Sequence, residues 1–397
     1  MSFLCSVLDR ETPIPERAVG LLTERFGPGP QPHVIAVPGR VNLIGEHIDY
    51  HDLSVLPMAI QRTIALAFRA RADREVRAVS CGSYGQREFN LDAARIPSPS
   101  GDWTNYLKAG SIAAQSQWKI GRGIDTAIAS DLPAAAGLAS SSALLVGFTI
   151  ALLEANGVCP VLDELIEVLP EAEQFVGTRG GGMDHASILA ARTGCALLIS
   201  FVPLKLAHIP VPRGWSFLVA HSLTHAEKSG AVRAEYNSRR TAGIGALQSL
   251  GWPSYRAALE AGFPDGISRI SKEAERSAFL HVTSEALRVQ KAVAAMREED
   301  IAAFGELLVA SHASLRDQLR VSCAAIDSLV DVALNAGAEG ARLTGAGFGG
   351  CVLIACRTAD RDRIRERIIR EFYSKHSDFD QEKHLFFAEP SRGALGG

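Results

Sequence analysis

Apolar residues recur at helical spacing over residues 16–26, where Ala18, Leu21, Leu22 and Phe26 share a face, and Gly27-Pro28-Gly29-Pro30 ends the segment. Val34 to Val37 is a short apolar run that reads as a buried strand. Pro38-Gly39 breaks it, and Val41 to Ile44 resumes the run. Within residues 62–90, TIALAFRA and REVRAVSC read as two strands paired with each other. Asp102 caps a helical segment that reaches about Trp118. The stretch 127–131 leads into a small-residue loop and an apolar helix ending near Asn156. Residues 161–176 are helical, GCALLI at 194–199 is a strand, and residues 217–220 open the second half as another. Amphipathic helices follow over 240–250, 277–296, 301–319 and 323–336. After them come a strand at 351–356, a charged surface helix at 364–372 and a last strand at 385–390.

A chain of 397 residues is more than one hydrophobic core usually organises, which predicts two domains. We expect them to part near 205–212, as units 1–207 and 208–397. With 47% hydrophobic residues both can bury substantial cores. A net charge of -3 offers no bulk attraction for nucleic acid or an anionic membrane, so the expected partner is a small molecule. Met1 to Cys5 lacks the basic start and long apolar core of a secretory signal. The longest apolar run, 143–153, stops at Glu154 and is too short to span a bilayer. Seven cysteines without regular spacing suit reduced thiols in a cytoplasmic protein, with Cys351 and Cys356 as core residues rather than ligands.

Three stretches carry candidate chemistry. Arg40, Asn42, Glu46, His47, Asp49, Tyr50, His51 and Asp52 crowd between two apolar runs. Carboxylates and histidines there suit a polyhydroxy ligand, and a solvated loop is the plain alternative. In LPAAAGLASSSA (132–143) a small-residue loop opens a helix, whose unpartnered N–H groups and dipole favour an anion. In GTRGGGMDH (177–185) three glycines let backbone approach closely and leave Asp184 on a small-residue rim, although a simple turn reads the same way. No Walker phosphate loop is present. Gly345 to Gly350 formally matches G-x-G-x-x-G but runs into a strand, the opposite of a Rossmann site.

PGRVNLIGEHIDY resembles the signature of the galactokinases, within the GHMP group of small-molecule kinases. The 132–143 loop resembles the second GHMP motif, P-x-x-x-G-L-x-S-S. GGGMD resembles the element that supplies the galactokinase catalytic aspartate, and RLTGAGFGGC (342–351) resembles the third GHMP motif. YNSRR (236–240) and the tail FFAEPSRGALG are also similar, so the resemblance covers nearly the whole chain. It implies an α+β, two-domain GHMP kinase fold. An N-terminal mixed-sheet domain and a C-terminal antiparallel-sheet (ferredoxin-like) domain would hold the active site in the cleft between them.

The function so implied is MgATP-dependent phosphorylation of the anomeric hydroxyl of galactose. N-acetylgalactosamine or another galactose-configured sugar is the alternative substrate, and a non-catalytic sugar and ATP sensor the alternative of another class. By the resemblance Asp184 is the base and Arg40 its cationic partner. Glu46, His47 and Asp49 fix sugar hydroxyls, with Gly181 and Tyr236 as outer contacts. Trp103 walls the nucleotide pocket; Gly137, Leu138, Ala139, Ser140, Ser141 and Ser142 cradle phosphates, and Gly347 closes from the second domain. Ser141 is the expected magnesium ligand. The family's metal-binding glutamate would fall on Ala172, which leaves the neighbouring Glu173 as the candidate. Other departures are Ala135 and Ala136 in place of glycines, Ile48, His185 in place of glutamine, His221, and the insert 223–233. The expected partners are sugar and ATP, with no nucleic acid and no membrane, acting on a monomer.

Overall fold

The computed structural model describes residues 12–224, 230–262 and 267–396. The N-terminal segment read above for export signals and part of the 223–233 insert therefore lie outside the described residues.

The first half is built on a mixed sheet of β1 (His33–Ile44), β2 (Leu56–Ala70), β3 (Glu75–Ser80), β4 (Gly85–Asn90) and β5 (Ile124–Ser130), in the order β1-β2-β5-β3-β4. Only β3 and β5 run parallel. The two strands expected to pair, β2 and β3, are separated by β5. The chain leaves β4 through α2 (Thr104–Trp118) and returns β5 between them. The expected pairing misses this because a strand arriving after a helical crossover leaves no local signal in either neighbour.

Period-two alternation sorts the faces. Ala65 and Ala67 of β2 and Ala127 and Ala129 of β5 meet α1 (Ile14–Phe26) through Ala18, Leu21 and Leu22. Leu66, Phe68, Ile124 and Ile128 turn to the opposite side and join the main core. There α3 (Ser140–Ala155) lies so close that a β-carbon on Gly147 would sit 2.5 Å from Leu66 and 2.9 Å from Val37. The run 34–37 is not a buried strand broken at Pro38-Gly39. It is the outer part of one continuous edge strand, with Val34 40% exposed, and burial begins at Val37, where α3 packs. Pro38-Gly39 marks a shift of register.

Asp102 does serve the α2 start, accepting the Thr104 N–H at 2.9 Å. Helices α4 (Leu162–Glu173) and α5 (Met183–Ala190) and the hairpin β6 (Cys195–Ser200) and β7 (Lys205–Pro210) complete this half. The expected division at residue 207 falls within β7. We propose 211–214 as the boundary, because β8 (Trp215–His221) belongs to the second sheet.

The second half contains α6 (Gly230–Leu250), α7 (Tyr255–Glu260), α8 (Glu273–Arg297), α9 (Ile301–Asp317) and α10 (Ala324–Asn335). After them come β9 (Gly340–Thr344), β10 (Cys351–Arg357), α11 (Arg361–Glu371), α12 (Gln381–His384) and β11 (Leu385–Ala388). The strands form an antiparallel sheet, β11-β8-β10-β9. One face, with Leu218, Val352, Ile354 and Cys356, packs on Leu329, Ile364 and Ile368. The other, with Phe217, Val219, Cys351 and Leu353, joins Phe304 and Leu308 in the main core, which continues into the first half. Cys351 and Cys356 are buried on opposite faces, as core residues. After β11 the tail returns to the first half, with Ser391 N–H on Ala59 O at 3.0 Å and Ala394 N–H on Ile188 O at 2.8 Å. Among the described residues no helix is long and apolar enough to cross a membrane.

α9 crosses β9 at Gly305 and Gly340, where a β-carbon on Gly305 would run into the Glu339 carbonyl. Helix propensity alone makes Gly305→Ala stabilising by about 1 kcal/mol. Backbone overpacking costs about 1–3 kcal/mol, and the blocking group cannot rotate away. We expect a net loss in chemical denaturation; a raised midpoint would show that α9 shifts freely.

Candidate active site

Bends in β1 deliver the first polar residues. Register shifts between Pro38 and Arg40, where a β-carbon on Gly39 would run into the Leu132 side chain and stand 3.0 Å from Leu138 O, and the Arg40 N–H bonds that carbonyl at 3.2 Å. The buried Arg40 side chain then spans two segments. Nε and Nη2 lie 2.8 and 2.6 Å from Asp184 Oδ1, while Nη1 donates to Gly137 O at 2.5 Å. Burial works against the guanidinium charge, yet Asp184, Glu46 and Asp49 outweigh it and raise its pKa further.

The next residues share out the cluster. Glu46 Oε1 accepts the Gly345 N–H at 2.6 Å and the Thr344 hydroxyl at 3.3 Å. Arg342 Nη2 stands 3.3 Å away as an ion contact rather than an aligned hydrogen bond. Burial raises the Glu46 pKa against the pull of Arg342 and Arg40. His47 adopts φ +61° and has both ring nitrogens engaged, with Tyr50 Oη at 2.8 Å and Ala346 O at 3.1 Å. Burial pushes its pKa down to about 3. A carbonyl only accepts, so the neutral ring carries its proton on Nε2 and Nδ1 accepts from Tyr50. With both nitrogens occupied, His47 offers the cleft its ring rather than a donor. Tyr236 of α6 lies 5.2 Å from that ring and 5.8 Å from Tyr50.

Asp49 Oδ2 accepts the Gly181 N–H at 3.0 Å. Only glycine fits at 181, since a β-carbon would run into the backbone of Asp49 and Tyr50. Burial first, then the nearby Asp184, pushes the Asp49 pKa up to about 6.

On the opposite wall the loop before α3 reaches Ser140 with Ala135 at φ +55°, Gly137 at +79° and Ala139 at +59°. Alanine holds at 135 a conformation that glycine adopts freely, whereas Ala136 has no positive φ. Ser140 and Ser141 line the cleft. Ser142 turns inward, its hydroxyl 3.1 Å from both Glu173 oxygens and 3.5 Å from Asp184 Oδ2. At the end of α4 the candidate Glu173 is buried at the site, whereas Ala172 is half-buried and Glu171, on its other side, is exposed. His185 Nε2 approaches Glu173 to 3.4 Å without aligned geometry, and burial lowers its pKa.

These groups line one cleft of about 480 Å³. Its polar end holds Arg40, Asp49, Asp184 and Tyr236, and its other end is walled by Trp103, Tyr84, Tyr106, Ile128 and Leu144. The third glycine motif covers it through Gly345, Ala346 and Gly347. The sequence reading missed Tyr84, Tyr106, Arg233 and Ala346 as lining residues. Tyr106 was accessible from its place one turn after Trp103; Tyr84 has no comparable signal. Leu138 and Ser142 are buried behind the loop rather than on the cleft surface.

The sequence matches the family models "Galactokinase galactose-binding signature" over residues 21–70, "GHMP kinases N terminal domain" over 105–192 and "GHMP kinases C terminal" over 292–375. It is 37% identical to a galactokinase of Roseiflexus sp. (strain RS-1), across 89% of this chain and 92% of that one. The chain belongs to the galactokinase family. A galactokinase of Actinobacillus pleuropneumoniae serotype 3 is 34% identical across 91% of this chain and 94% of its own. The structure of a Lactococcus lactis galactokinase complexed with galactose superposes with a TM-score of 0.85 at 26% identity, covering 94% of this chain and 97% of that one. A Methanococcus jannaschii mevalonate kinase, at 18% identity and a TM-score of 0.65 over 92% of this chain and all of that one, shares the fold. The family's GHMP kinase architecture, with mixed and antiparallel sheets, is the one described above.

The raised Asp49 pKa has a stability consequence with a definite sign. Folding favours the protonated form, so wild-type stability falls as pH rises from about 4, the ordinary aspartate value, through about 6. Asp49→Asn removes the penalty and is expected to gain about 1–3 kcal/mol relative to wild type at pH 7, at 1.4 kcal/mol per pKa unit. Denaturant melts of both proteins across pH 4–7 test this; parallel curves would show that Asp49 does not titrate there.

Proposed function

We propose that this protein transfers the terminal phosphoryl group of ATP to the anomeric hydroxyl of galactose. One observation carries the reading. The Asp184–Arg40 pair stands where the polar end of the cleft meets the α3 loop, so a hydroxyl at one end and a phosphate at the other converge on it.

Asp184 accepts the hydroxyl proton as the sugar oxygen bonds the terminal phosphorus and the bond from that phosphorus to the bridging oxygen breaks, ADP leaving with that oxygen. Arg40 binds its Oδ1 through two nitrogens, anchoring that oxygen and placing a cation beside the reacting oxygen. Asp49 accepts from ring hydroxyls, while Glu46 and His47 line that end beside it. Tyr236 covers the sugar face, and the Gly181 N–H keeps Asp49 in position. Trp103 with Tyr84 and Tyr106 walls the base, and backbone N–H groups of the Gly137 loop and the α3 start hold the phosphates, with Gly347 closing over them.

The residues present fit a magnesium ion. Glu173 and Asp184 both approach the single Ser142 hydroxyl, making an acid-rich point beside the phosphate loop. Among the described residues no group of three or more His, Cys, Asp or Glu forms a closed metal cage, so the nucleotide would complete the coordination. Ser141 and Glu173 would hold the ion, with Ser142 steadying Glu173. When bound, magnesium neutralises charge on the transferring phosphoryl group. We take the working protein to be a cytoplasmic monomer.

Asp184→Asn should lower turnover by about 10²–10⁴-fold while galactose and MgATP still bind, as read by single-turnover assay and calorimetry. Near-normal turnover would remove Asp184 from the reaction. Initial rates under saturating MgATP with galactose, N-acetylgalactosamine, 2-deoxygalactose, galacturonate, arabinose and glucose test the substrate. Glucose should be very poor, because a sugar that leaves a buried carboxylate unpaired is strongly rejected. Equal efficiency on glucose and galactose would refute this sugar assignment.

A further inference from the structure

The segment that carries Gly181 and precedes Asp184 has little to hold it in shape. Four of the six residues 177–182 are glycine. Gly177 and Gly182 take φ values of +91° and +95°. Among the described residues, no backbone–backbone hydrogen bond outside regular elements involves Thr178, Arg179 or Gly180. A chain this rich in glycine loses more conformational freedom on ordering than any other, so its working shape must come from outside.

That support comes from α6. Arg233 Nη1 donates to Val176 O at 2.7 Å, Asn237 Nδ2 to Gly177 O at 3.2 Å, and Arg240 Nη1 to Arg179 O at 3.4 Å. Positions 233, 237 and 240 are four and three residues apart, so at about 100° per residue they share one narrow face of the helix. Their three donors meet three carbonyls of the loop in order along it. Tyr236 lies on the same side and packs its ring on His47 and Tyr50. The segment of α6 that touches the sugar end of the cleft is therefore the one that grips the loop.

We propose that this face of α6 is a clamp on residues 176–182, with Asn237 and Arg240 as positioning residues. They act through the loop, keeping the Gly181 N–H on Asp49 and Asp184 against Arg40. The functional part of this proposal rests on the assignment of Asp184 and Asp49 given above, whereas the clamp itself is read from the loop directly. Arg233 also lines the cleft and is left out of the test.

The experiment is amide hydrogen exchange of the full-length protein, followed in the peptide spanning 177–182, for wild type, Asn237→Ala, Arg240→Ala and Arg240→Lys. Galactose and MgATP constants are measured on the same samples. A lost hydrogen bond of ordinary strength predicts about 3- to 10-fold faster exchange in the two alanine variants, confined to that peptide. The galactose KM should rise by a similar factor, with the MgATP dissociation constant within twofold of wild type. Arg240→Lys keeps a donor and should recover most of both effects. Unchanged exchange in both alanine variants, or acceleration spread evenly over the chain, would overturn the clamp. If one variant fails to fold, the other carries the test. Near-normal turnover in Asp184→Asn would sink the catalytic reading while leaving the exchange result interpretable.

Discussion

The Arg40 guanidinium is the point on which the site depends. It is a permanent charge, buried to 5% exposure, and it persists because Asp184 and the Gly137 carbonyl replace the water it gives up. Those partners come from α5 and from the loop before α3, and Arg40 itself comes from β1. One residue therefore sets the distance between the end of β1, the loop before α3 and Asp184. Two of its nitrogens converge on the same Asp184 oxygen, a double contact that a single lysine charge would not make.

A second constraint is the closeness of backbones around that centre. A β-carbon on Gly137 would stand 2.5 Å from Thr344 O, one on Gly345 2.6 Å from the Gly137 α-carbon, and one on Gly350 2.9 Å from Ala136 O. The third glycine motif thus lies directly against the loop before α3, with no room for side chains between them. Glu46 secures the contact from the β1 side by accepting the Gly345 N–H, and the buried Arg342 reaches back to the Asn42 and Leu43 carbonyls. The main core passes without interruption from the first sheet to the inner face of the second, so the cleft is supported from beneath by packing and above by these polar ties.

Acid placement follows from the same crowding. Asp49, Asp184 and Glu46 share one end of the cleft, and burial disfavours charge on Asp49 and Glu46 before any mutual repulsion is considered. Both pKa values stay raised, that of Glu46 against the pull of Arg342 and Arg40 and that of Asp49 against the Gly181 and Tyr50 N–H groups.

Much of this was legible in the sequence for local reasons. Helical periodicity located α8, α9 and α10 to within a few residues, and the glycine-to-strand order at 345–356 excluded a dinucleotide fold. Arg40, Asp49, Gly181 and Asp184 were named because their motifs are contiguous and long. Contacts between distant segments were not legible. That β5 separates β2 from β3 depends on where a crossover returns. That the Ser142 hydroxyl meets Glu173, and that Glu173 is buried while Glu171 is exposed, depends on how two helix ends meet across thirty residues of chain. His47 shows the same limit: its residue type suggested a hydrogen bond to ligand, and tertiary structure spent both nitrogens on Tyr50 and Ala346. Sequence by itself determined which groups are present and which local elements carry them. Only the folded chain decided which groups face each other, because a side chain's partners are set by packing between segments that share no local pattern.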